Sequence, residues 1–109
     1  MASSIKIEYD GRLMFASTTD KKECHTMYLQ IDKDEAHNLI KRLLKEAYGG
    51  HIMTEDCGCY HIQAYITQDT LCMTVYKGQI EFGKVAFIQA DDLINKLKHC
   101  MEQIRRTIL

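Results

Sequence analysis

Residues 59–77 read CYHIQAYITQDTLCMTVYK, two alternating runs joined by a polar break at Gln68-Asp69. From Cys59 to Thr67 the apolar positions are Tyr60, Ile62, Ala64 and Ile66, interleaved with Cys59, His61, Gln63 and Tyr65. From Leu71 to Lys77 they are Leu71, Met73 and Val75, opposite Cys72, Thr74 and Tyr76. A period of two is the signature of a strand with one buried face, and two such runs about a short polar break predict a hairpin.

The same pattern recurs on both sides. His25–Ile31 carries Met27, Leu29 and Ile31 on one side and Cys24, Thr26, Tyr28 and Gln30 on the other. Ile5–Glu8 and Arg12–Ser17 flank Asp10-Gly11, a hairpin signal. A three-residue loop, Tyr9-Asp10-Gly11, keeps Ile5, Ile7, Leu13 and Phe15 on one face, whereas a two-residue turn would divide them. A last segment, Gln79–Ile88, follows Lys77-Gly78 and is broken at Gly83.

Two stretches change period. Ala36, Leu39, Ile40, Leu43, Leu44 and Ala47 predict a helix from Asp34 to Tyr48, with Asp32 and Glu35 as a capping box and Gly49-Gly50 as its exit. Leu93, Ile94, Leu97, Cys100, Met101, Ile104 and Ile108 predict a second from Asp91 to Thr107, with Asp91-Asp92 and Arg105-Arg106 matched to its dipole. The chain therefore reads as one α+β domain over residues 1–109, largely antiparallel, in the order βββα-βββα. A shift of 57 residues lays Asp34 on Asp91, Asn38 on Asn95, and apolar positions 36, 40, 43, 44 and 47 on 93, 97, 100, 101 and 104. That predicts an internal pseudo-repeat, although the strands do not follow at this offset, because Leu29 falls on Ala86.

Composition narrows the function classes. In 109 residues, 46% are hydrophobic and 27% charged, the profile of a folded globule rather than a disordered chain. The net charge is −1, from 14 basic and 15 acidic residues, divided as 8 and 8 over residues 1–49 and 6 and 7 over residues 50–109. A duplex-binding protein would carry a basic excess, so nucleic acid is disfavoured. Met1-Ala2-Ser3-Ser4 has no charged-then-apolar signal, Ala2 excludes N-myristoylation, and no apolar run suggests a membrane span. Five cysteines in such a chain predict free thiols and a cytoplasmic location.

The second strand face carries the functional question. A face that met only water would carry Lys and Glu, yet its central positions are Cys, Thr, Gln, His and Tyr. Tyrosine enrichment with charge depletion marks the core of an interface. Three covers are open: closure of the sheet into a barrel, a homodimer, or a separate partner. For the last, Tyr28, Tyr65 and Tyr76 are the expected anchors, with Gln63, Thr26 and Thr74 as hydrogen-bonding groups.

Chemistry is thinly represented. His51, Cys57, Cys59 and His61 form the densest set of metal-ligand types, and on one strand Cys57, Cys59 and His61 would share a side, with Cys24 or Cys72 as neighbours. Cys57-Gly58-Cys59 is shorter than the usual zinc knuckle, so no metal or cofactor is assigned. Cys59 and His61 have no orienting acid identified for nucleophilic catalysis. No Gly-rich phosphate loop or hydrolase motif is present, and no catalytic residue is assigned. His37, Lys41 and Lys45 on the first helix, and Lys98, His99, Arg105 and Arg106 on the second, read as solvated basic faces.

The layout of strands closed by a helix, repeated, resembles the Whirly and PUR-type single-strand nucleic-acid-binding folds. That resemblance implies base stacking on Tyr28, Tyr65 and Tyr76. It rests on layout, with three strands counted per half where those folds have four. Size, neutrality and an uncharged tyrosine-bearing face instead predict a non-enzymatic, homodimeric module that docks on a larger protein, in the manner of inhibitors and immunity proteins carried by phages or plasmids.

Overall fold

The computed structural model describes residues 4–18 and 24–107. Strands β1 (Ser4–Tyr9), β2 (Leu13–Thr18) and β3 (Cys24–Leu29) form a three-stranded sheet in that order. Helix α1 (Lys33–Gly49) leads into β4 (His51–Cys57), β5 (Tyr60–Ile66), β6 (Leu71–Lys77) and β7 (Ile80–Phe87), a four-stranded meander. Helix α2 (Leu93–Arg106) closes the order. Every strand pairing is antiparallel, so the fold is α+β as the alternation predicts. Ile108, expected at the end of the α2 stripe, lies outside the described residues.

The first hairpin has a three-residue loop, but one position later than expected. Tyr9 pairs with Leu13 across Asp10-Gly11-Arg12, and Ile7 with Phe15. Moving a three-residue loop by one shifts the register by two, so every side chain keeps its face. Ile5, Ile7, Leu13 and Phe15 all point into the core.

β4 was not expected as a strand. Its inward positions are Met53, Glu55 and Cys57 and its outward ones Ile52, Thr54 and Asp56, so no apolar alternation is visible in sequence. It forms because Glu55 is held by the Arg42 guanidinium of α1 at 2.7 Å and because β5 offers a full ladder, from His51–Ile66 to Cys57–Tyr60.

With β4 set aside, the pseudo-repeat reaches the strands: β1-β2-β3-α1 corresponds to β5-β6-β7-α2. Ile5 then lies on Ile62 and Ala36 on Leu93, 57 apart, while Leu13 lies on Leu71 and Leu29 on Phe87, 58 apart. The β5–β6 turn is one residue longer than the β1–β2 loop, which moves the offset and hides the repeat from any single shift.

Inward side chains of both sheets and both helices make one buried cluster, including Phe15, Leu29, Leu39, Leu43, Ile62, Ile66, Phe87, Leu97 and Ile104. Burying each such side chain contributes about 1.5–3 kcal/mol. The two sheets meet where β3 approaches β7, and Gly83 sits close to β3 there: a Cβ on it would lie 2.9 Å from Met27 Sδ, so the methionine side chain would have to move. A bulge at Val75/Tyr76 adjoins this point, which accounts for the break read at Gly83. α1 packs along β4 and α2, and α2 along β1. Gln103 of α2 accepts a hydrogen bond from the Tyr9 amide at 3.1 Å, so part of the β1 edge is occupied. No buried side-chain nitrogen or oxygen among the described residues lacks a partner. No helix among them is long and apolar enough to cross a membrane.

Candidate partner-binding face

The inner face of the second sheet lies in the shared core, and its outer face is open. The pairing register arranges that face in three rows across β4, β5, β6 and β7. One row is Ile52, Tyr65, Cys72 and Ala86. The middle row is Thr54, Gln63, Thr74 and Lys84. The third is Asp56, His61, Tyr76 and Glu81. With strands about 4.8 Å apart and same-face residues about 6.8 Å apart, the rows cover roughly 390 Å².

These rows differ in chemistry. Ile52 is 80% exposed and Tyr65, its cross-strand neighbour, 45% exposed, so apolar surface stands in water with no charge beside it in the row. In the third row His61 Nδ1 lies 2.7 Å from Asp56 Oδ1, and its ring is 6.4 Å from that of Tyr76. The one cation in the three rows, Lys84, reaches Glu81 at 3.8 Å. Charge lies at the two ends of the third row, at Asp56 and at Glu81 with Lys84 beside it, and the remainder is neutral.

Of the six residues expected to face a partner, Gln63, Tyr65, Thr74 and Tyr76 are adjacent here. Thr26 and Tyr28 lie on the outer face of the other sheet, where the Arg12 guanidinium sits 3.9 Å from the centre of the Tyr28 ring. A shared alternation cannot report that a sheet divides between β3 and β7. Nor is the face the inside of a closed barrel, because Thr26, Gln63 and Tyr65 are exposed and Thr74 and Tyr76 half-exposed in the single chain. Ile52, Thr54 and Asp56 were missed because β4 was; the Ile52–Tyr65 pairing is what makes the first row apolar.

The metal-ligand types do not converge. Cys57 and Tyr60 close the β4–β5 hairpin around Gly58-Cys59, with Gly58 left-handed at φ 61°. This places Cys57 inward and His61 outward, correcting the expectation that they share a side. Cys57 Sγ donates to the Glu35 carbonyl at 3.7 Å, and burial, reinforced by Glu35 and Glu55, pushes its thiol up to about 12. A thiol held protonated in this way is a poor nucleophile and a poor ligand. Cys59 is exposed at the turn, and His51 is bound to Glu46 of α1 at 2.7 Å. No group of three or more His, Cys, Asp and Glu among the described residues is placed to hold a metal ion.

Comparison of the chain with protein-family models, curated proteins and solved structures finds no match. The likeness to Whirly and PUR-type folds therefore stays one of layout, and the second half has four strands rather than three.

Proposed function

We propose that this chain is a non-catalytic protein-binding module, of the inhibitor or immunity-protein kind, that docks through the outer face of its β4–β7 sheet. The observation that carries this is the row of Ile52, Tyr65, Cys72 and Ala86, an exposed apolar strip bordered by the neutral Thr54, Gln63 and Thr74. Largely neutral composition with an aromatic centre is what a partner's desolvated core requires, while Asp56, Lys84 and Glu81 supply a polar rim at one side. A stable complex buries about 800 Å² per partner, so the rows would form the centre of the contact and neighbouring side chains its margin.

The single-strand reading is disfavoured on the same face. Tyr65 and Tyr76 offer rings for stacking, but the rows hold Lys84 against Asp56 and Glu81, and a nucleic-acid groove needs a positive lining to track phosphates. The metal-binding reading loses its basis in the separation of Cys57 from His61.

The test pairs Tyr65→Glu with Tyr48→Glu, an exposed tyrosine off the face, as baits in capture from the source cell. The reading expects a stoichiometric protein on wild type and Tyr48→Glu that is absent on Tyr65→Glu. Light scattering of the same three proteins shows whether that partner is a second copy. Salt-sensitive oligonucleotide binding lost in Tyr65→Glu would replace this reading with the single-strand one.

A further inference from the structure

On the opposite side of the molecule, the helix layer brings together groups that lie apart in sequence. His37, Lys41 and Leu44 of α1 and Lys98, Met101, Glu102 and Arg105 of α2 line one cleft of about 450 Å³. Part of each basic face expected to be separate and solvated lines it: His37 and Lys41 from α1, and Lys98 and Arg105 from α2. Lys41, Lys98 and Arg105 against Glu102 give the lining a charge of +2 with His37 neutral, in a chain whose net charge is −1. Glu102 is engaged by Arg105 at 3.2 Å and Arg106 at 4.0 Å, and among the described residues Lys41 and Lys98 make no ion pair.

The pseudo-repeat supplies an independent reason to read the cleft as built. At the helix offset of 57, Lys41 corresponds to Lys98 and Leu44 to Met101. Each half thus contributes a cation and, three residues on, an apolar side chain at one helical face, and the equivalent pairs meet in one space. Leu44 is half-buried and Met101 buried, so the interior is apolar while the lysines stand exposed at the rim. A thioether beside an aliphatic side chain adapts to apolar groups of varied shape.

We propose that this cleft binds an acidic peptide segment of a partner protein, with an apolar side chain seated on Leu44 and Met101 and carboxylates paired to Lys41, Lys98 and Arg105. A peptide suits the layout better than a small anionic amphiphile. Lys98 and Arg105 lie seven residues apart, about 10 Å along the helix axis, so the charge is spread as carboxylates three residues apart on an extended strand are spread. An amphiphile needs one cation and an enclosed tail pocket, whereas this cleft is only half enclosed. The proposal does not depend on the outer sheet face.

Fluorescence anisotropy tests it with a labelled ten-residue peptide, glutamate throughout except for two central leucines, on the full chain. The expected result is binding that weakens as salt rises, falls at least about tenfold in Lys41→Glu/Lys98→Glu, and is unchanged in Lys6→Glu/Lys77→Glu, which has the same net charge. Thermal melts establish that both double variants fold. Any one of three results overturns the proposal: no binding up to about 1 mM peptide, equal loss in the two double variants, or an all-glutamate peptide that binds as tightly. Displacement of the peptide by laurate at lower concentration, or preference for an oligonucleotide of any sequence, would assign the cleft to a different ligand.

Discussion

Tyr65 and Ile66 are neighbours on β5 with opposite surroundings, and replacing each in turn measures whether the chain covers its own outer face. Ile66 is fully buried, and truncating a buried isoleucine to alanine costs about 2–5 kcal/mol through lost transfer energy and an unfilled cavity. Tyr65 is 45% exposed, and its neighbours Ile52 and Cys72 are cross-strand contacts on a wet surface. Such pairs contribute about 0.2–1 kcal/mol each, and threonine retains the preference for a strand, so Tyr65→Thr should cost under about 1.5 kcal/mol. Urea denaturation reads the difference directly. With an m-value of about 1.5 kcal/mol/M, Ile66→Ala should lower the midpoint by roughly 2 M and Tyr65→Thr by less than about 1 M. Protein concentration adds a second axis. If a second copy covers the face, the Tyr65→Thr penalty grows with concentration, because the wild type alone gains from association. A Tyr65→Thr penalty as large as that of Ile66→Ala at every concentration would mean that Tyr65 is interior to the monomer, and the open face would be wrong.

The cysteines should divide by accessibility. Cys59 is exposed and Cys72 partly so, whereas burial pushes Cys57 and Cys100 up to about 12, with nearby carboxylates adding to the shift. Mass mapping after alkylation of native protein at neutral pH should find Cys57 and Cys100 modified at least about tenfold more slowly than Cys59, and all three equally after unfolding. Comparable native rates at Cys57 and Cys59 would contradict the inward hairpin position. Glu46 makes the acid-sensitive contact between α1 and β4. Burial acts to raise its pKa, but hydrogen bonds from His51 and Arg42, and their charge, outweigh that and hold it below the usual carboxylate range. A depressed folded-state value adds stability that is complete above the unfolded-state value, about 4.3, and is lost as pH falls through the folded one. The urea-midpoint gap between wild type and Glu46→Gln should therefore be constant near neutral pH and shrink on acidification below that value. A gap independent of pH would place the contact elsewhere.

Most of the fold was legible because strong periodicity and turn chemistry agreed. The α1 capping box forms as read, with Asp32 Oδ1 accepting from the Glu35 amide at 2.8 Å and Glu35 Oε1 from the Asp32 amide at 3.4 Å. β5 and β6 bury the side chains that their alternation assigns. β4 was not legible, because Glu55 interrupts its inner face between the buried Met53 and Cys57 while the apolar Ile52 stands on its outer one. Two features of the candidate sites were hidden for a related reason: they depend on pairing rather than on local pattern. Ile52 joins Tyr65 only through the β4–β5 register, and Lys41 meets Lys98 only because the two helices pack together. Thr26 and Tyr28 share an alternation with Gln63 and Tyr65, but periodicity carries no information on which sheet a strand joins.

Strand preference alone accounts for part of the outer face. Threonine and tyrosine are favoured on any pleated surface, so Thr54, Thr74 and Tyr76 require no partner to explain them. Ile52, Cys72 and Ala86 are different. Ile52 gains almost nothing from burial in the single chain, and lysine or threonine there would be better hydrated at no cost in packing. Alanine at position 86 gives up strand propensity and leaves the row low beside Tyr65 and Cys72, which is the relief a protruding partner side chain would fill. The sheet edge cannot explain the strip, since edge protection acts through charge or cover, as Gln103 does at β1. An apolar row running across four strands, bounded by charge at one side only, is oriented across the face rather than along an edge, and that orientation is what a face-on contact needs.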